Sequence, residues 1–72
     1  MPTIADRLKE LRKSKELPQR AVGESIGINE RTYRRYEAGD IDPSATNVIK
    51  LADFFEVSAD YLLGRSDNPQ RH

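Results

Sequence analysis

The chain has 72 residues, no cysteine, one histidine and a formal net charge of zero. That length suits one domain around one small core, and the missing cysteines with a lone histidine exclude disulfide staples and Cys/His metal sites. No apolar run approaches the roughly 20 residues of a membrane span, and no basic segment followed by an apolar stretch opens the chain, so neither a membrane partner nor a secretory signal is expected.

A cysteine-free composition fits a reducing cytoplasm. The zero net charge conceals an asymmetry. Residues 1–38 hold nine Lys/Arg against six Asp/Glu, or +3, and residues 39–72 hold three against six, or −3. One half can therefore present a basic surface.

In chain order, Thr3 is an N-cap with Asp6 three residues on. Ile4, Leu8 and Leu11 follow at i, i+4 and i+7, an apolar stripe that leaves Arg7, Lys9, Glu10 and Lys13 outside it. A second helix is predicted from about Pro18 to Ile26, because proline suits a first turn and Val22 and Ile26 share a face. Gly27 ends it as a left-handed cap, Ile28 is a hydrophobic plug, and Asn29 caps a third helix over Glu30 to Ala38. Gly39 closes that helix by the same device. Ser44 caps a fourth, in which Val48, Leu51, Ala52 and Phe55 form one face. Ser58 caps a fifth carrying Tyr61, Leu62 and Leu63 before Gly64. No segment alternates with period two, so the fold class is all-α with five short helices. Residues 1–64 form the domain, and 65–72, without an apolar anchor, read as a flexible C-terminal tail.

The stretch from Gln19 to Gly39 carries the functional signal. Two short helices joined by Gly27-Ile28-Asn29 must cross steeply, at about 90–120°. Gly23 faces that crossing, where a side chain larger than Ala would push the helices apart. These are the mechanics of a helix-turn-helix whose second helix projects from the body. At 100° per residue, Thr32, Tyr33 and Tyr36 turn toward the body, and Glu30, Arg31, Arg34 and Arg35 turn away. Guanidinium groups on a projecting helix suit a major groove, where Arg bridges guanine O6 and N7. Glu30 can pair with Arg34 at i, i+4 or accept from a cytosine N4.

The chain resembles the Xre or Cro/lambda-repressor family of helix-turn-helix domains. The resemblance rests on Leu8-Lys9-Glu10-Leu11-Arg12, Leu17, Gln19, Ile26-Gly27-Ile28 and Tyr36-Glu37-Ala38-Gly39. Pro43-Ser44, Leu51-Ala52-Asp53-Phe54-Phe55 and Val57 through Gly64 extend it, so that it covers about residues 4 to 64 without a gap. The resemblance implies that Glu30, Arg31 and Arg35 contact base edges. It implies that Gln19 touches a phosphate and braces the recognition helix, that Thr32 lies near a phosphate or a thymine methyl, and that Arg34 contacts the backbone or positions the helix. Arg12 and Glu37 match an ion pair between the first and third helices, with a scaffold role favoured over phosphate contact. The implied function is a cytoplasmic repressor of bacterial or phage type, a homodimer on a double-stranded operator with half-sites about 34–36 Å apart. Its dimer surface would lie around Val57 to Leu62.

Four departures stand against the family pattern. Pro18 replaces a hydroxyl residue, Gly23 stands where Ala is usual, and Tyr33 brings a hydroxyl that needs a partner or an opening to water. Asp40 and Asp42 occupy a loop that is often basic. With the zero net charge, these features keep a second reading open: a protein-interaction module that retains the fold with a weakened DNA surface. Tyr33, Tyr36, Phe54, Phe55 and Tyr61 fall at helical spacing and read as core before stacking platforms. Asp40, Asp42 and Asp53 lack the alternation of a calcium loop. His72 has no nucleophile or base nearby in sequence. No catalytic constellation, cofactor motif, metal site or small-molecule site is visible, so the chain is not read as an enzyme.

Overall fold

A computed structural model describes residues 2–70. Among these, five helices follow one another: α1 (Ile4–Ser14), α2 (Gln19–Ser25), α3 (Glu30–Ala38), α4 (Ala45–Phe55) and α5 (Ala59–Leu62). No strand occurs among the described residues. No helix among the described residues is long and apolar enough to cross a membrane.

Side-chain caps start four of the five. Thr3 Oγ1 accepts from the Asp6 amide while Asp6 Oδ2 accepts from the Thr3 amide, each at 3.2 Å, a reciprocal capping box. These bonds to Thr3 hold the Asp6 carboxyl below its ordinary pKa. Asn29, Ser44 and Ser58 accept from the amides three residues on at 2.7, 3.2 and 3.0 Å. The exception is α2, where Pro18 sits at the N-cap itself, one residue ahead of the first turn, and offers no side-chain acceptor.

All five helices end alike. At the end of α2 the Gly27 amide donates to Glu24 O at 3.2 Å and the Ile28 amide to Gly23 O at 3.0 Å, with Gly27 left-handed at φ 81°. This paired return satisfies the last free carbonyls and reverses the chain. The same pattern closes α1 and α4 through Glu16 (φ 56°) and Glu56 (φ 57°). Nothing in the local sequence marks those two ends, because neither carries a glycine. A left-handed L-residue costs about 1–2 kcal/mol, partly offset by the greater unfolded-chain entropy of glycine. Glu16→Gly and Glu56→Gly are therefore expected to stabilise the fold by about 0.5–1 kcal/mol each, raising Tm by roughly 3–6 °C. Thermal melts showing no gain at either site would mean that the glutamate side chains compensate the strain.

Leu8, Val22, Tyr33, Leu51 and Leu62 are fully buried, one from each helix. Full burial of a side chain this size contributes about 1.5–3 kcal/mol. Ile26, Tyr36, Ala52, Phe55, Val57 and Tyr61 complete the core, and Ile4, Leu11, Leu17 and Ile28 are among the residues packed at its margin. α2 packs on α3, α3 on α1, and α5 against both α1 and α4.

One expectation is corrected. Arg7, placed outside the stripe of the first helix, is buried: its guanidinium lies 3.9 Å over the Tyr61 ring, and Nη2 donates to Asp67 Oδ1 at 2.9 Å. The flat cation covers an aromatic face that an aliphatic stripe would leave uncapped. In the segment Val57 to Leu62, Val57, Tyr61 and Leu62 belong to the chain's own core, while Ser58, Ala59 and Asp60 stay at the surface. Leu63, beyond the end of α5, is an exposed large hydrophobic residue, at 47%. After Gly64, residues 65–70 run back along the body, where Pro69 O accepts from the Ser58 amide at 3.0 Å.

Candidate nucleic-acid interface

α2 and α3 meet at Gly23. A Cβ built there would lie 3.2 Å from Ile28 O, 3.3 Å from Asn29 O and 3.4 Å from Tyr33 Cβ. The turn and the start of α3 thus rest directly on the α2 backbone. Tyr33 and Tyr36 anchor the inner face of α3, edge to face with ring centroids 6.4 Å apart. Asn47 Nδ2, one turn into α4, donates to Tyr36 Oη at 2.9 Å. Asn47 was not legible in the sequence, since its partner lies on another helix and no local spacing links them.

The other face of α3 carries the charged residues. Arg31, Arg34 and Arg35 are exposed, Glu30 and Thr32 half-exposed. Arg34 Nη2 pairs with Glu30 Oε2 at 3.0 Å, one turn back, and Arg34 Nε donates to Gln19 Oε1 at 3.4 Å. Among the described residues, the Arg31 and Arg35 side chains make no hydrogen bond or ion pair. Two free guanidinium groups therefore flank a third that is held against the body.

Beneath them runs a polar chain through three helices. Arg12 grips Glu37 with two bonds, Nε to Oε2 at 2.6 Å and Nη2 to Oε1 at 3.0 Å. A third, from Nη1, reaches Leu17 O at 2.9 Å. Gln19 Nε2 donates to Glu37 Oε1 at 3.3 Å, so its amide is engaged by Glu37 on one end and Arg34 on the other. The Glu37 side chain is only 2% exposed. Burial alone would raise its pKa, but the bonds from Arg12 and Gln19 and the nearby Tyr33 hydroxyl hold it below the ordinary carboxylate range. Tyr33 Oη is buried beside this pair without a well-formed hydrogen bond, and burial with the adjacent Glu37 carboxylate pushes its ionisation far upward. Tyr33 therefore stays neutral, its hydroxyl facing the network instead of water.

Asp40 and Asp42 are exposed in the loop after α3. No group of His, Cys, Asp or Glu among the described residues could hold a metal ion. His72 lies outside the described residues.

A helix-turn-helix family model matches residues 8–62, and the chain belongs to that family. Among curated relatives it is 40% identical over 63 residues to the uncharacterized HTH-type transcriptional regulator YobD of Bacillus subtilis, covering 88% of this chain and 56% of that protein. It is 39% identical over 62 residues to the cryptic phage CTXphi transcriptional repressor RstR of Vibrio cholerae, covering 86% and 55%. The chain thus spans just over half the length of these relatives, 56% and 55%. Among solved structures, a transcriptional regulator from Listeria innocua superposes with a TM-score of 0.82 at 31% identity, over 86% of this chain and 58% of that one. The P22 c2 repressor, crystallised with a synthetic operator, superposes with a TM-score of 0.86 over 92% of this chain and 100% of that one. At 24% identity that match shows a common fold.

Proposed function

We propose that this chain binds double-stranded operator DNA as a sequence-specific transcriptional repressor in the cytoplasm, with α3 in the major groove. The observation that carries the reading is the pair of unpartnered guanidinium groups, Arg31 and Arg35, on the outer face of a helix braced from beneath by Arg12, Glu37 and Gln19. Nine residues make a rod about 13 Å long, and a major groove about 12 Å wide admits such a helix. Arg31, Arg35 and Glu30 read base edges, Thr32 and Gln19 meet the backbone, and Arg34 ties α3 to α2 through Gln19. Membership of a family whose named relatives are regulators and repressors supports the same reading. The chain acts as a homodimer: a body of 28 × 22 × 21 Å lets two copies lie side by side over half-sites about 34–36 Å apart.

Selection from random duplexes should enrich a palindrome. On that site Arg31→Ala and Arg35→Ala are each expected to cost about 1–3 kcal/mol and to relax preference at separate base pairs. If both variants bind as tightly and as selectively as wild type, α3 is not the reading helix. Enrichment of no duplex, with binding indifferent to salt, would favour a protein-interaction module, the reading to which exposed Asp40 and Asp42 lend support.

A further inference from the structure

A second basic feature adjoins the α3 face. Between α1 and α3 lies an open cleft of about 280 Å³, lined by Lys9, Arg12, Lys13, Gln19, Arg34 and Glu37. Its charges do not balance. Glu37 is neutralised by Arg12 and Arg34 by Glu30, which leaves the two lysine ammonium groups. Lys9 and Lys13 stand one turn apart on α1, both exposed. Neither makes an ion pair among the described residues, and the acid that feels Lys9 electrostatically is Asp6, already bound to Thr3. A lysine pair on a helix is ordinarily just solvated. This pair differs in opening onto the same cleft as Gln19 and Arg34, the edge of the α3 face. The loop after α3 carries exposed Asp40 and Asp42, which repel phosphate.

We propose that Lys9 and Lys13 hold the phosphate backbone beside the major groove that α3 enters, supplying from α1 the grip that the acidic loop withholds. The inference rests on the DNA-binding function proposed above. An ammonium on a flexible stem suits this task, since a point charge makes few geometric demands and phosphate contacts position a protein without reading sequence. Both lysines therefore contribute affinity and salt dependence, and neither contributes base preference.

The test uses the full chain and a duplex that wild type has enriched from random-sequence DNA, titrated across a series of salt concentrations. Two phosphate contacts at about 0.9 each predict that Lys9→Ala/Lys13→Ala flattens the slope of log K against log salt by about 1.8, weakening binding about 60-fold at 0.1 M salt. Preference among operator variants should stay unchanged, and Lys9→Arg/Lys13→Arg should keep the wild-type slope. Both side chains are exposed, so the alanine variant should melt like wild type. If it does not, each single substitution repeats the test with half the slope change. Wild type that binds with a steep salt slope beside a double variant of equal slope overturns the lysine grip and leaves the DNA-binding function standing. Lost preference among operators would make the lysines readers and overturn it too. Wild type that enriches no duplex overturns the function on which the inference rests.

Discussion

Arg12→Ala is expected to destabilise the domain by about 3–5 kcal/mol, because it leaves the Glu37 carboxylate buried without its counter-charge. A 72-residue domain holds only about 4–11 kcal/mol in total, so the loss removes a large share of it. The loss comes less from the pair's own attraction than from the stranded charge. Glu37 is 2% exposed and cannot recover water, whereas Arg12 at 15% retains an edge and the Leu17 carbonyl. Glu37→Gln should therefore be milder than Arg12→Ala. Replacing both partners with methionine should restore most of the lost stability, since a buried pair and an apolar pair of similar volume are often close in free energy. Chemical denaturation of the three variants decides it: a loss below about 1 kcal/mol for Arg12→Ala would mean that Glu37 reaches water after all.

The same pair sets a pH dependence. Glu37 has a lower pKa in the folded chain than in the unfolded one, through the bonds from Arg12 and Gln19 that outweigh its burial. Its contribution is thus fully present above the ordinary glutamate range, about 4.3, and is lost as pH falls below that range and through the folded value. Wild-type stability should decline in that acid window and the Glu37→Gln profile should be flatter there. Parallel profiles would assign the acid sensitivity to other carboxylates.

Gly23→Val is expected to destabilise by about 1–3 kcal/mol and to weaken operator binding beyond what the lost fold accounts for. The Cβ of any residue at this position already meets Ile28 O, Asn29 O and Tyr33 Cβ at 3.2–3.4 Å. Two further methyl groups on a Cβ already this close to two backbone carbonyls overpack the crossing, and relief requires α3 to lift or rotate relative to α2. Gly23→Ala is the control. Its neighbours need yield only a few tenths of an ångström, and a helix-propensity gain of about 0.5–1 kcal/mol works the other way. Denaturation with binding on the same preparations separates the two effects. A valine variant that folds and binds like the alanine variant would show that the crossing has slack.

The helices could be read from residue order because the signals that make them are local. Asn29, Ser44 and Ser58 each accept from an amide three residues away, and a 3.6-residue period alone decides that Tyr33 and Tyr36 lie opposite Arg31, Arg34 and Arg35. Where a helix ends without glycine the signal is absent. Glu16 and Glu56 adopt left-handed turns because Leu17 and Val57 must be brought back to the core, a requirement set by partners distant in sequence. Arg7 was unreadable for a related reason: a cation beside a stripe is solvated unless something covers it, and only the assembled fold brings Tyr61 and Asp67 over it. The Arg12–Glu37 pairing could be expected only from family likeness, since no local rule joins residues that far apart. Tertiary structure added what no wheel contains: Gln19 spans Glu37 and Arg34, Asn47 holds Tyr36, and the charges on α1 open onto the cleft beside α3. Sequence alone therefore determined which helices form and which faces they present, because backbone periodicity and capping act within a turn or two. Which of those charges are free and which are held was decided by packing, because neutralisation depends on distances between helices that the order of residues does not specify.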